Sequence, residues 1–186
     1  MAGIALTFGL VVMALIYALG DSSGCHINPA ATIAFALARR FPWRAVPAYV
    51  IAQLFGAFLA GLVLDAMFPG HRTLGATLPV GPPVRSFILE IVLSLILFVV
   101  VLSVATGPKE RGIMAGIAIG GVVALEAMFA GPISGASMNP ARSIAPAVLS
   151  GQTQHLWVYI AGPLLGAAAA VPLTRAIHHD RPNVPG

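Results

Sequence analysis

The run Ser134-Gly135-Ala136-Ser137-Met138-Asn139-Pro140-Ala141-Arg142 has a near-copy far upstream, Ser23-Gly24-Cys25-His26-Ile27-Asn28-Pro29-Ala30. The two share Ser-Gly-x-x-x-Asn-Pro-Ala, and their asparagines stand 111 residues apart. Each copy reads as a loop that turns into a short helix. Asn is a strong N-cap, and Pro suits the first helical position because the N–H it lacks would be unpaired there anyway. A single Asn-Pro is only a common turn opener. Two copies with one flank, each set among long apolar segments, point to a site near the middle of a membrane, where interrupted hydrophobic segments of two repeats meet.

The apolar segments fit that reading. Of the 186 residues, 58% are hydrophobic and only 9% charged, with a mean hydropathy of +0.92. Soluble domains carry about 25% charged residues, so most of this surface faces lipid. Residues 2–20, 46–68, 85–106, 112–130 and 156–176 are each long enough to cross about 30 Å of hydrocarbon. Residues 2–20 have no basic stretch before them and read as a span rather than a cleaved leader. Asp21-Ser22-Ser23-Gly24 is expected to break the first helix, residues 69–84 to form a Gly/Pro-rich loop, and Thr106 to Gly112 to form a tight charged turn. Two short helices follow the boxes, from Pro29 to about Ala38 and from Pro140 to about Leu149, and a polar tail, HHDRPNVPG, ends the chain. The expected fold class is thus an all-α membrane protein with five full spans and two re-entrant half-helices.

The duplication extends past the boxes. Ala2-Gly3-Ile4-Ala5 matches Ala115-Gly116-Ile117-Ala118, and Leu54-x-Gly56-Ala57 matches Leu164-x-Gly166-Ala167. An odd number of spans between equivalent boxes turns the second copy upside down, an inverted repeat. A single domain is expected: an incomplete first repeat at 1–68, a connecting loop at 69–84 and a second repeat at 85–186. The first half has no counterpart of span 85–106. Gly116/Gly120 and Gly162/Gly166 carry the spacing that lets helices approach closely in a membrane. The net charge of +4 does not argue for nucleic acid, because the ten basic residues are too few and too scattered to track a phosphate backbone. No enzyme chemistry, cofactor or metal site is expected, since no nucleophile–base pair or clustered ligand set stands out.

The two boxes, with Arg142 three residues after the second Asn, resemble the signature of the major intrinsic protein family, the aquaporins and glycerol facilitators, and the resemblance covers nearly the whole chain. It implies a passive, proton-excluding channel for water and small uncharged solutes, built as a homotetramer in a cell membrane. It also implies six spans where five are counted, so the first is expected to be missing, through a misassigned start or a gene fragment, with a genuine five-span chain as the remaining alternative. By the same resemblance Arg142 belongs to the narrowest ring of the pore. The other ring positions carry over by spacing to Phe8, Ala127 and Ala136, and Glu90 to a buried carboxylate that holds the second re-entrant loop. Water-specific relatives usually place His where this chain has Ala127, which favours a wider opening and solutes of the glycerol, urea or metalloid-hydroxide type.

The residues themselves supply a physical reason for such a pore. Half-helices that enter from opposite faces meet N-terminus to N-terminus, and their dipoles sum to a positive potential that repels cations. The side-chain amides of Asn28 and Asn139 are expected to stay free to donate, with Gly24 to Ile27 and Gly135 to Met138 offering carbonyl acceptors. Arg39, Arg40, Arg44, Lys109, Arg111, Arg175 and Arg181 fall on one side of alternating spans and Arg72 and Arg85 on the other. The richer side is expected to be cytoplasmic, with the C-terminus there. His26 is expected to pin its loop, Cys25 to border the pore, and Asp65 to lie at an interface, while Glu126 receives no role. Two other readings stay open: a secondary transporter, which also uses inverted repeats, and a non-conducting fragment.

Overall fold

A computed structural model describes residues 2–105 and 109–179. It contains α1 (Ala2–Ser23), α2 (Pro29–Leu37), α3 (Val46–Met67), α4 (Pro83–Val104), α5 (Lys109–Ser134), α6 (Pro140–Ser150) and α7 (Leu156–His179), with a single 3-10 turn at Trp43–Ala45 before α3. Five of these are long and apolar enough to cross a membrane. The other two, α2 with 9 residues and α6 with 11, are not. At about 1.5 Å per residue they reach roughly half-way.

Several boundaries differ from the expectation. Asp21, Ser22 and Ser23 belong to α1, because the hydroxyls of Ser22 and Ser23 both donate to the Leu19 carbonyl and occupy a helix-end acceptor. The break falls at Gly24, which takes φ +69°, a conformation that costs Gly little. Lys109, Glu110 and Arg111 lie in the first turn of α5 rather than in a turn between spans. The rest of the expected charged turn, residues 106–108, lies outside the described residues, as does most of the polar tail, 180–186. His178 and His179 continue α7.

The half-helices begin as their sequences dictate. Asn28 Oδ1 accepts from the Ala30 N–H at 2.9 Å. Asn139 Oδ1 accepts from the N–H groups of Ala141 and Arg142 at 3.0 and 3.4 Å. Each asparagine thus satisfies donors that an isolated helix start leaves unpaired.

In a membrane, lipid tails are as apolar as leucine, so helices associate through close packing and hydrogen bonds rather than through the hydrophobic effect. Glycines provide the close packing here. On α7, a methyl group at Gly162 or Gly166 would strike α4 at Glu90 and at the Ile91 carbonyl, respectively. On α1 and α5, Gly9 and Gly120 lie backbone to backbone, and Gly116 receives the ring of Tyr17. The core is centred on α4, whose Leu93, Phe98 and Leu102 are fully buried among Ile119 and Val123 of α5 and Ala167 and Ala170 of α7. Among the described residues the first half has no such centre: a methyl group at Gly56, the sequence counterpart of Gly166, would meet nothing within 4 Å, and Ile51, Phe55 and Leu59 of α3 are exposed.

Candidate functional site

The two box asparagines bond across the fold in a reciprocal pattern. Asn28 Nδ2 donates to the Met138 carbonyl at 2.8 Å, and Asn139 Nδ2 donates to the Ile27 carbonyl at 3.0 Å. Each asparagine therefore caps its own half-helix with its oxygen and fastens the other's loop with its nitrogen. The N-termini of α2 and α6 face one another at this junction. The supports repeat as well: Tyr49 Oη donates to the Ser23 carbonyl and Tyr159 Oη to the Ser134 carbonyl, each at the Ser that opens its box.

This geometry corrects one expectation. The amide nitrogens are not free, because one N–H of each is engaged across the junction; an amide carries two donors, so one per asparagine is left. The acceptors are reduced likewise. The Cys25 carbonyl accepts from the Ile27 N–H, the His26 carbonyl from Gln53, and the Ile27 and Met138 carbonyls from the asparagines. A carbonyl has two lone pairs, so each keeps one acceptor site.

The loops need unusual backbone. Cys25, Ala136 and Met138 take positive φ beside Gly24 and Gly135. Such residues cost of order 1–3 kcal/mol each and persist only where the surroundings fix them. In the second loop Glu90 does so. Its Oε1 accepts from the Ser134 hydroxyl at 2.8 Å and the Ser137 N–H at 2.9 Å, and its Oε2 accepts from the Met138 N–H at 2.8 Å. These bonds offset the burial of a carboxylate. In the first loop His26 stacks on Phe35 with centroids 4.7 Å apart and lies against Phe41 and Tyr49.

A cavity of about 830 Å³ runs past the junction. Its wall is mostly apolar, from Phe8, Val12 and Ile16 of α1, Phe98 and Val101 of α4, and Ile119 and Val123 of α5. A polar edge comes from Gly24 to Asn28 and from Ser137, Asn139 and Arg142, so Cys25 borders the cavity. Phe8 and Arg142 are brought together: the guanidinium carbon lies 5.3 Å from the ring centroid. Arg142 Nη1 also donates to the Gly75 carbonyl at 2.7 Å. Ala136 is buried in its loop, and Ala127 is half-buried on α5 against the apolar core. Neither is among the residues that line the cavity.

Other participants escaped the sequence reading. The loop between α3 and α4 supplies Gly75 and also Thr77, whose buried hydroxyl pairs with that of Ser143 at 2.8 Å. Ser143 in turn pairs with Ser137, and the Val80 N–H donates to the Ile133 carbonyl. The segment that looked like a plain connector is thus packed on the second box. The signal available was weak: Ser137 and Ser143 flank the box, and polar residues there need partners. Glu126 is buried on the same stripe of α5 as Val123 and Ala130, and among the described residues neither carboxyl oxygen has a hydrogen-bond partner.

A family model described as Major intrinsic protein matches residues 1–173. The chain is 51% identical over 168 residues to Aquaporin NIP1-1 of Oryza sativa subsp. japonica, covering 90% of this chain and 59% of that protein. It is 49% identical to Aquaporin NIP1-1 of Zea mays, covering 90% of this chain and 60% of that one. It is 43% identical over 182 residues to Nodulin-26 of Glycine max, covering 97% and 67%. The X-ray structure of the aquaglyceroporin from Plasmodium falciparum superposes with a TM-score of 0.85 at 22% identity, covering 96% of this chain and 83% of that one, which establishes the shared fold. The chain belongs to the major intrinsic protein family. It is a multi-pass membrane protein, and it spans about three fifths of the length of the first relatives named here.

Proposed function

We propose that this chain forms the conducting part of a passive channel for water and small uncharged solutes. The observation that carries the proposal is the reciprocal junction of Asn28 and Asn139 beside the cavity. Two helix N-termini set tip to tip place a positive potential on the path, which opposes cations and hydronium while leaving neutral molecules unaffected. The spare N–H of each asparagine and the remaining lone pairs of Cys25 to Ile27 offer a neutral solute its hydrogen bonds in file. The apolar wall opposite makes no competing bond. Arg142, anchored on Gly75, keeps donors for a passing oxygen and adds a second positive charge.

The ring proposed for selectivity is Phe8, Ala127, Ala136 and Arg142. The contact of Phe8 with Arg142 supports half of it; the two alanines rest on family spacing. Two methyl groups leave room for a solute wider than water, with its carbons against Phe8 and its hydroxyls toward Arg142. Glycerol, urea or a metalloid hydroxide fits that description. The relatives' name, aquaporin, agrees with a water path. The functional unit is a homotetramer in a plasma or inner membrane, with the arginine-rich end and the C-terminus in the cytoplasm.

The test is light scattering from reconstituted vesicles, with an impermeant sugar or glycerol as osmolyte. Glycerol should produce a transient shrinkage followed by re-swelling. Ala127→His should suppress the re-swelling more than the initial water efflux, because an imidazole narrows the ring. Glycerol that behaves as an impermeant sugar in the unmodified protein contradicts the wide ring.

A further inference from the structure

The arginine-rich end carries a feature that conduction does not use. α2 ends in a Schellman motif: the Arg39 N–H bonds to the Ala36 carbonyl and the Arg40 N–H to the Phe35 carbonyl, with Arg39 at φ +62°. That position belongs by preference to Gly, or next to Asn. A long cationic side chain stands there instead, at the mouth of a second cavity of about 550 Å³ lined by Ala36, Arg39, Arg40, Phe41, Pro42 and Trp43. Among the described residues, no ion pair neutralises either guanidinium.

The neighbouring groups keep the cavity positive. Arg40 Nη1 donates to the Leu102 carbonyl at 2.6 Å, and Arg175 Nη2 donates to the Leu37 carbonyl at 3.1 Å. Both arginines are thus tied to helix C-terminal ends. Partial burial and the nearby Arg175 charge both push the Arg40 guanidinium below its ordinary value, as expected where like charges gather without a counter-ion. The cavity also has an apolar side. Trp43 is exposed and begins the membrane-crossing segment Trp43–Met67, the level at which an indole marks the boundary between headgroups and hydrocarbon. Below it the exposed Ile51 and Phe55 of α3 continue into the apolar layer.

We propose that this cavity binds the phosphate headgroup of an anionic phospholipid. Arg39 presents its guanidinium fork to the phosphate oxygens and Arg40 the donors that its bond to the Leu102 carbonyl leaves; Trp43 lies at the glycerol level, and the acyl chains run along α3. A phospholipid suits the site better than a free anion, because the charged half opens onto the apolar half without a break. The inner wall is Phe41, whose ring packs on His26 beside the first box, 4.9 Å between centroids, so the bound headgroup lies one ring from the re-entrant loop.

The test uses the fluorescence of Trp43. Trp157→Phe removes the other tryptophan of the chain. In this background the protein is reconstituted in phosphatidylcholine, and brominated phosphatidylglycerol or brominated phosphatidylcholine is titrated in as quencher. Preferential quenching by the anionic lipid is expected. Arg39→Gly, which suits the left-handed position and is checked for folding by circular dichroism, should lower that preference about fivefold, the factor one basic group contributes at an anionic surface. Arg44→Gln, on the same membrane face but outside the cavity, should leave it nearly unchanged. Equal quenching by the two lipids overturns the proposal. So does an equal loss in Arg39→Gly and Arg44→Gln, which would report diffuse surface charge, and so does loss of the preference on adding inorganic phosphate, which would make this a free-anion site.

Discussion

Glu90 and Glu126 are both buried carboxyl groups in apolar helices, and the structure treats them in opposite ways. Glu90 accepts three hydrogen bonds and holds the second re-entrant loop in its strained course. Glu126 accepts none. Mutation should therefore act with opposite sign. Glu90→Gln turns one acceptor oxygen into an NH2 group that confronts a backbone or hydroxyl donor, and leaving a buried donor unmet costs about 1–3 kcal/mol. Glu126→Leu removes an unpartnered polar group from an apolar stripe, and with it the desolvation cost of a buried unsatisfied group, about 1–3 kcal/mol. Thermal unfolding in detergent checks both: a lower midpoint for Glu90→Gln and an unchanged or higher one for Glu126→Leu. At this scale the sequence was legible where a residue type was improbable for its setting. Asn28, Asn139, Arg142 and Glu90 stand out as polar groups in an apolar chain, and the duplication links the first two. Thr77 and Ser143 do not stand out, because hydroxyl residues are ordinary both in loops and near helix starts. Their pairing depends on a fold-back of the 69–84 loop that no periodicity announces. The engagement of the asparagine nitrogens was hidden for a related reason: it depends on the separation of two loops 111 residues apart in sequence.

Among the elements, type was easier to read than extent. Apolar length marks the five spans, and Asn-Pro marks the two half-helix starts. The ends drifted where side chains compensate a helix terminus, as Ser22 and Ser23 do for α1 through the Leu19 carbonyl. Pro132, Pro163 and Pro172 lie inside α5 and α7, so proline alone did not locate helix ends either. The small-residue spacing was a sound guide to contacts, since Gly116, Gly120, Gly162 and Gly166 each receive a neighbouring helix. A prediction follows for α4 and α7. Gly166→Leu would drive a side chain into the Ile91 carbonyl and Ser94 of α4, and overpacking of this kind costs about 1–3 kcal/mol, occasionally more. Gly56→Leu at the counterpart position on α3 meets nothing in this structure and should cost little. A denaturant or thermal series on the two variants compares the halves directly, and equal losses would count against the packing described for α4.

At the scale of the molecule, two half-helices meet near the middle of a membrane fold, held by reciprocal asparagine bonds, with an arginine stacked over an aromatic ring beside them. We propose that such an arrangement opposes ions through fixed backbone charge and passes neutral molecules with no moving part. The activity proposed is passive conduction along the Asn28–Asn139 junction. Its most direct test is osmotic water flux, followed by light scattering, in vesicles reconstituted with the protein, measured with and without imposed sodium and proton gradients, together with the fluorescence of a pH dye trapped inside. Flux above protein-free vesicles, unchanged when the gradients are collapsed and accompanied by no added proton leak, is the predicted result. Flux that vanishes with a sodium or proton gradient, or a proton leak that rises with the protein, would contradict it.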